Sequence, residues 1–240
     1  MYSYLNNLLM MDGFKEAFIL NFVKENRYMF IVKGLFVTIE VTFFAIILGI
    51  IIGFILALAK LSNFKIGKIK ILSVLASTYI DVIRGTPAVV QLLIIYYIIF
   101  GSIDIPKVTV AVIAFGINSG AYVAEIVRAG ILAVDKGQME AGRSLGFSYG
   151  ATMRYIIMPQ AIKNILPALV NEFIVLLKET AIVGYIALED LTKGGDIIRS
   201  RTFDPYMPLL TVAVIYLILT TVLSKLLGKL ERRMRQGDSH

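Results

Sequence analysis

Long apolar stretches separated by short polar connections dominate the hydrophobic pattern of this chain. The clearest stretch, 41–59, reads VTFFAIILGIIIGFILALA and contains no charged residue. At about 1.5 Å per residue, a helix of this length nearly crosses the ~30 Å hydrocarbon core of a membrane. Four more apolar stretches follow. We interpret the five as membrane-spanning helices, at about 31–59, 71–100, 108–132, 161–184 and 209–227.

The second apolar stretch, 71–100, is too long for a single upright span, because a helix of that length would extend about 45 Å. It must therefore tilt, kink or break, and its sequence contains a suitable break. Gly85 is typical of a helix C-terminus, Thr86 of an N-cap, and Pro87 of the first turn of a new helix.

Composition supports a membrane protein independently of the pattern. The chain has 240 residues, of which 58% are hydrophobic, and its mean hydropathy is +0.78. Soluble domains have roughly 45–50% apolar residues. There is no cysteine, and the one histidine is the last residue, so we expect no thiol chemistry and no metal site built on these residues. These properties predict an all-α, multi-pass membrane domain.

The net charge of +7 could indicate nucleic-acid binding, but the charges lie between and after the apolar stretches, where they act as topology signals. Lysine and arginine concentrate in the connections 60–70 and 133–160 and in the C-terminal tail. By the positive-inside rule these regions are cytoplasmic, so the N-terminus is predicted to lie outside and no nucleic-acid partner is expected.

The connection between the third and fourth spans contains a recognisable motif. Glu140-Ala-Gly-Arg-Ser-Leu-Gly146 is followed, after nine residues, by Ile156-Ile-Met-Pro159. This pattern resembles the cytoplasmic EAA loop of the inner-membrane subunits of binding-protein-dependent ABC importers. Gly142 takes the place of the third small residue, and Met158 takes the place of a leucine.

The resemblance implies that residues 136–159 form a coupling segment that docks on a separate ATPase. Its coupling residues would be Glu140, Ala141, Gly142, Leu145 and Gly146. The chain itself lacks G-x-x-x-x-G-K-S/T, the loop that cradles nucleotide phosphates. The sequence therefore predicts a transporter subunit with no cofactor of its own, whose partner ATPase binds ATP and magnesium.

Four further runs narrow the resemblance to the polar amino acid branch of these importers. They are 83–97, 117–131, 178–191 and 197–205. The resemblance implies a type I importer fold with five core spans, in a bacterial cytoplasmic (inner) membrane. It also implies a second permease subunit (identical or similar), ATPase subunits, and an external solute-binding protein that delivers an amino acid.

Polar residues fall at similar depth on three spans, about ten residues from a span end. Ionisable groups are costly there, and a half-helix N-terminus in the membrane suits a substrate carboxylate. Arg84 could bind the same carboxylate, whereas Asp81 and Glu172 could face an amino group or a cationic side chain. The candidate substrate site consists of Asp81, Arg84, Thr86, Asn118, Ser119 and Glu172.

Several alternatives stay open on sequence alone. Asp81 and Arg84 are three residues apart, so they could instead neutralise each other, and we interpret Glu125 and Arg128 as a structural pair. Acids outnumber bases within the spans, which favours a basic substrate. A secondary carrier or a channel is the alternative class, but no inverted repeat is visible and the loop motif would be unexplained.

The chain divides into three regions. Residues 1–30 are predicted to form an amphipathic segment that lies on the outer membrane surface or packs on the rest of the protein. Residues 31–230 form the predicted permease domain, and 231–240 are a basic cytoplasmic tail.

Overall fold

The computed structural model describes residues 13–62, 64–65 and 69–236, and every regular element in these ranges is a helix. The predicted all-α class is thus confirmed for this part of the chain. The α-helices that follow residue 27 are α1 (Tyr28–Leu61), α2 (Ile71–Arg84), α3 (Ala88–Ile94), α4 (Lys107–Leu132), α5 (Lys136–Ser144), α6 (Tyr149–Thr152), α7 (Met158–Glu179), α8 (Leu191–Thr202) and α9 (Tyr206–Gln236). Short π-helical and 3-10 turns extend or join them at Ile19–Val23, Lys24–Asn26, Ile95–Ile99, Met153–Ile157 and Thr180–Ile186.

Three described helices are long and apolar enough to cross a membrane: α1, α4 and the Tyr206–Lys229 part of α9. The second predicted span is broken as expected. Taken together, Ile71–Arg84 and Ala88–Ile99 are also long and apolar enough to cross a membrane, and the two helices are bent by 104° at the break.

The fourth predicted span, 161–184, is helical but more polar than the others. Helix α7 has 22 residues, ends at Glu179 and continues as the 3-10 turn to Ile186. It is not among the helices apolar enough to cross a membrane by composition alone, and Lys163, Glu172, Lys178 and Glu179 lie along it. Such a helix is stable in a membrane only where its polar side face is covered by other helices or lines a cavity.

Helices α1 and α4 pack closely through glycines. A Cβ atom at Gly53 would lie 2.6 Å from Val123, and one at Gly116 would lie 2.6 Å from Leu48. Real Cβ atoms do not approach so closely, so the backbones of the two helices approach each other without room for side chains. This contact fixes α4, which carries two candidate site residues.

Two residues shortly before α1, Asn21 and Phe22, pack against the rest of the protein. Asn21 is fully buried and donates a 2.6 Å hydrogen bond to Asp204, while the Thr202 hydroxyl donates to Asn21 Oδ1. Phe22 is buried in a cluster with Leu191 of α8. Of the two interpretations of the segment 1–30, packing on the protein therefore holds at these positions; residues 1–12 lie outside the described ranges.

Candidate functional site

The break between α2 and α3 begins the site. Gly85 ends α2, and its N–H donates to the Asp81 carbonyl at 2.9 Å. Pro87, with extended backbone angles, precedes α3 directly. The prediction that Thr86 caps the new helix is wrong, because its hydroxyl instead donates backwards to the Val82 carbonyl at 2.8 Å.

Gln91 holds the two halves of the broken span together. Its Nε2 donates to the Ile83 carbonyl and to the Thr86 hydroxyl, both at 2.7 Å. Its Oε1 accepts a 2.9 Å hydrogen bond from Asn118 Nδ2 on α4. Thr86 and Asn118, both predicted substrate residues, are thus used within this network. Sequence reasoning missed Gln91, although a single amide in the run VVQLLIIYY was the available signal.

Ser119 and Glu172 meet between α4 and α7. The Ser119 hydroxyl donates to Glu172 Oε1 at 2.8 Å, and the two residues are 0% and 8% exposed. This contact confirms that the polar residues predicted to share a depth on these two helices are adjacent. One carboxylate oxygen is therefore held by protein, and the other has no hydrogen-bond partner among the described residues.

A cavity of about 610 Å³ lies between the end of α2, α4 and α7. Glu172 and Arg84 both line it, and the Arg84 guanidinium stands over the Tyr122 ring at 5.2 Å from the ring centroid. Asn164 and Glu125 supply the remaining polar lining, and the other lining residues are small or apolar. Sequence reasoning did not single out Tyr122 or Asn164.

Asp81 is the predicted site residue that the structure separates from the others. Its side chain is exposed, does not line the cavity and forms no ion pair with any residue in the described ranges. The alternative in which Asp81 and Arg84 neutralise each other is therefore not what the structure shows. An i, i+3 pair meets only when both side chains turn toward each other, and Arg84 turns to Tyr122.

Glu125 is paired, as the sequence predicted, but with two cations. Arg128 donates two hydrogen bonds to Glu125 Oε2, at 3.0 and 2.8 Å. Lys60, at the end of α1, lies 2.6 Å from Oε1. In the sequence Lys60 is one of the cations that indicate topology, and nothing there indicates its contact with Glu125 on another helix. The cluster leaves no free carboxylate at Glu125.

The motif of the third connection forms α5 and the turn after it. Asp135 caps α5 by accepting a hydrogen bond from the Gly137 N–H at 2.6 Å. Gly142 is buried, and a Cβ there would lie 2.5 Å from the Thr152 methyl group. This close approach explains why glycine stands where the motif has another small residue. Glu140 and Ala141 are exposed on the opposite part of the helix.

Gly146 follows this helix with a φ of +86°, a left-handed conformation that glycine adopts without strain. The N–H of Phe147 donates to the Gly142 carbonyl at 3.2 Å and closes the turn. Leu145 is 77% exposed, and the neighbouring aromatic residues Phe147 and Tyr149 are also exposed. We call the exposed residues Glu140, Ala141, Leu145, Phe147 and Tyr149 the coupling surface.

Asp190 is a fully buried carboxylate outside the membrane-spanning helices. It caps α8 by accepting hydrogen bonds from the N–H groups of Thr192 and Lys193, at 3.2 and 2.8 Å. Burial raises the pKa of Asp190 to about 6, and the hydrogen bonds from Lys193 and Thr192 offset only part of that effect. Asp190 thus costs stability when it is ionised.

The chain has a broken apolar span beside a cavity that Arg84 and Glu172 line, and an exposed short helix on a connection between spans. These features define its class: a membrane-embedded subunit of a transport system. Residues 45–236 match the family described as "Binding-protein-dependent transport system inner membrane component". The chain belongs to this family, and the family resemblance of its EAA-like loop is confirmed.

The chain is similar to curated permeases of two transport systems. It is 41% identical over 212 residues to the "Putative glutamine transport system permease protein GlnP" of Rickettsia typhi, covering 87% of this chain and 94% of that protein. It is 40% identical over 214 residues to the "Arginine transport system permease protein ArtQ" of Bacillus subtilis, with the same coverage of both chains.

Two solved structures extend the comparison. One, titled "Crystal structure of an amino acid ABC transporter with histidines", is 51% identical with a TM-score of 0.80, over 88% of this chain and 98% of that chain. An inward-facing MetNI methionine ABC transporter has a TM-score of 0.73 at 21% identity, over 86% and 96%, and supports the fold alone. The predicted type I importer permease fold is confirmed.

Proposed function

We propose that this chain is the permease subunit of an ATP-driven amino acid importer of the bacterial cytoplasmic membrane, and that it works by alternating access. Family membership supports the transport class, and the printed names of the similar permeases support an amino acid substrate. The observation that carries the proposal is the cavity itself, which brings a guanidinium and a buried carboxylate from different helices to one space.

An α-amino acid matches the charges of this cavity. Since Lys60 and Arg128 pair with Glu125, the cavity keeps one unpaired cation, Arg84, and one carboxylate, Glu172. We assign the substrate carboxylate to Arg84, whose planar fork suits it, and the substrate ammonium group to the free oxygen of Glu172. Such contacts replace the hydration that a zwitterion loses in a space of low dielectric constant.

The charges of the cavity specify the side chain of the substrate less closely than its carboxylate and ammonium groups. The excess of acids on the spans favoured a basic amino acid, but the pairing of Glu125 and the exposure of Asp81 remove two acids from that argument. Asn164 supplies a polar group at the cavity wall. We therefore propose a polar amino acid, with a basic one among the candidates, and uptake competition with a panel of amino acids ranks them.

The proposed partners follow from the surfaces of the chain. The coupling surface presents Glu140 and Leu145 to solvent on a connection that the charge pattern places in the cytoplasm, so we propose that it docks on an ATPase subunit. ATP and magnesium would bind to that subunit. A second permease subunit and an external solute-binding protein complete the proposed importer.

Exchange of Glu172 tests the assignment of the site. In proteoliposomes with the partner subunits, we expect Glu172→Gln to weaken uptake of every transported amino acid about ten- to a hundred-fold. One charge-assisted hydrogen bond contributes roughly 1.5–3 kcal/mol. Glu179→Gln is the matched control, since Glu179 lies on the same helix but does not line the cavity. Unchanged uptake in Glu172→Gln would refute the assignment. Loss of uptake confined to basic substrates would mean that Glu172 binds the side chain of the substrate and not its ammonium group.

A further inference from the structure

Helix α9 carries a basic face where it leaves the membrane. Lys225, Lys229 and Arg232 follow one another at spacings of four and three residues, so they lie on one side of the helix. Together with the hydroxyl residues Thr221 and Ser224 they line one groove. We call these five residues the basic groove.

The cations of the basic groove have no counter-charge in the described part of the chain. Lys225, Lys229 and Arg232 are exposed, and none of them forms an ion pair or a hydrogen bond with a described residue. No acid among the described residues lines the groove. Glu231, the acid of this part of α9, lines a different cavity between α7 and α9. Three like charges within two turns repel one another until an anion binds among them.

The groove begins inside the membrane span and continues beyond it. The span of α9 extends to Lys229, so Thr221 and Ser224 belong to its last turns. Leu217, Val222 and Leu226 are exposed apolar residues of the same part of the helix, as expected of a surface that faces lipid tails. Lysine and arginine stems cover apolar surface while their charges reach the headgroup level. An anion here must therefore reach both hydroxyl groups at the hydrocarbon edge and cations at the headgroup level.

We propose that the basic groove binds the headgroup of an anionic phospholipid. The phosphate lies among the three cations, and the hydroxyl groups of Thr221 and Ser224 donate to the ester oxygens below it. A phospholipid has its charge and its ester groups at these two depths, which a free anion does not combine. The assignment of this lipid to the inner leaflet rests on the orientation given in the proposed function. The negative potential of that leaflet favours such a site.

Native mass spectrometry of the purified full chain tests the proposal directly. Phosphatidylglycerol and phosphatidylcholine of identical acyl chains are titrated against wild type and variants. Lys225→Gln with Lys229→Gln should lower the affinity for phosphatidylglycerol about thirty-fold, since each cation near an anionic lipid contributes roughly a factor of five. Lys225→Arg with Lys229→Arg should retain it. Lys15→Gln with Lys33→Gln removes two exposed cations elsewhere and should change little.

Four results would overturn the proposal. Equal binding of the two lipids, or equal loss in the control pair, would show that no charge-selective site exists on α9. Displacement of phosphatidylglycerol by inorganic phosphate would make the ligand a free anion. Efficient disulfide formation between two copies carrying Lys225→Cys would show that a second copy covers the groove. Because lipid retention is measured without ATP, ATPase or amino acid, its failure leaves the proposed transport function standing.

Discussion

At the scale of single residues, two glycines of the coupling segment are needed for different reasons. Gly142 lies where a side chain would collide with Thr152, so its requirement is one of space. Gly146 has open space around it but a φ of +86°, so its requirement is one of backbone conformation. Gly150, four residues after Gly146, has neither restriction.

Substitutions at these glycines should separate coupling from insertion. We expect Gly142→Leu and Gly146→Val to lower ATP-driven uptake at least about tenfold, because each displaces the coupling surface. A left-handed conformation costs a branched residue roughly 1–2 kcal/mol or more. Gly150→Ala is the control and should transport normally. Uptake and ATPase binding that stay at wild-type level in both variants would contradict the role of this surface.

Asp190 should make stability depend on pH. Its pKa of about 6 in the folded chain is above the ordinary value of 3.8, so the stabilising form is the protonated one. Folding is then favoured at low pH and loses up to roughly 3 kcal/mol as pH rises through 6. The pKa of Asp196 is lowered by its hydrogen bonds with Lys193 and Arg199. The stability that ionised Asp196 contributes to the fold is therefore lost only at pH values below about 4.

Thermal unfolding in detergent at pH 5 and pH 7.5 checks this expectation. The wild-type melting temperature should be higher at pH 5, and the difference should shrink in Asp190→Asn, which keeps an acceptor for the helix cap. An unchanged pH dependence in the variant would assign the effect to other groups.

Some of these residue-scale features could be predicted from the sequence and others could not. Gly85 and Gly146 can be recognised in the sequence as helix ends, because few other residues suit the ends of helices so well. Ser119 and Glu172 could be placed at one depth by counting. The contacts Gln91–Asn118 and Lys60–Glu125 join residues 27 and 65 positions apart, and single-sequence reasoning contains no signal for the rotation of one helix against another.

At the scale of elements, the apolar pattern predicted a helix at 161–184 as well as at the other four stretches, although α7 is not apolar enough to be identified as a span by composition alone. Helices α1, α4 and α9 are recognisable because their surfaces are apolar along their length. Glu172 of α7 is buried and meets Ser119 beside the cavity, whereas Asn164, Asn171 and Lys178 are exposed. Such polar residues make a span harder to recognise from hydropathy.

The orientation of these elements can be measured with introduced cysteines, since the native chain has none. Ser62→Cys and Ser148→Cys should react with a membrane-impermeant reagent only from the cytoplasmic side. Ser102→Cys should react only from outside, because one span, α4, separates it from Ser148. Labelling of Ser148→Cys from outside would reverse the topology and remove the coupling surface from the reach of an ATPase.

At the scale of the whole molecule, two closely packed helices, α1 and α4, lie beside α7 and the broken α2–α3 span. The cavity lies where these parts meet. Alternating access requires part of its wall to move, and the segments joined by polar contacts are better suited to move than the glycine-packed pair. The coupling segment joins α4 to α7, so we expect motion of the coupling surface to reach both of these walls of the cavity.

ATP-dependent uptake in a defined system tests the central claim most directly. Proteoliposomes containing this chain, its ATPase partner and the solute-binding protein are supplied with a labelled polar amino acid such as arginine or glutamine. We predict uptake that requires ATP and the binding protein, and that persists when ionophores abolish sodium and proton gradients. Uptake without ATP that follows an imposed sodium or proton gradient would identify a secondary carrier and contradict this account.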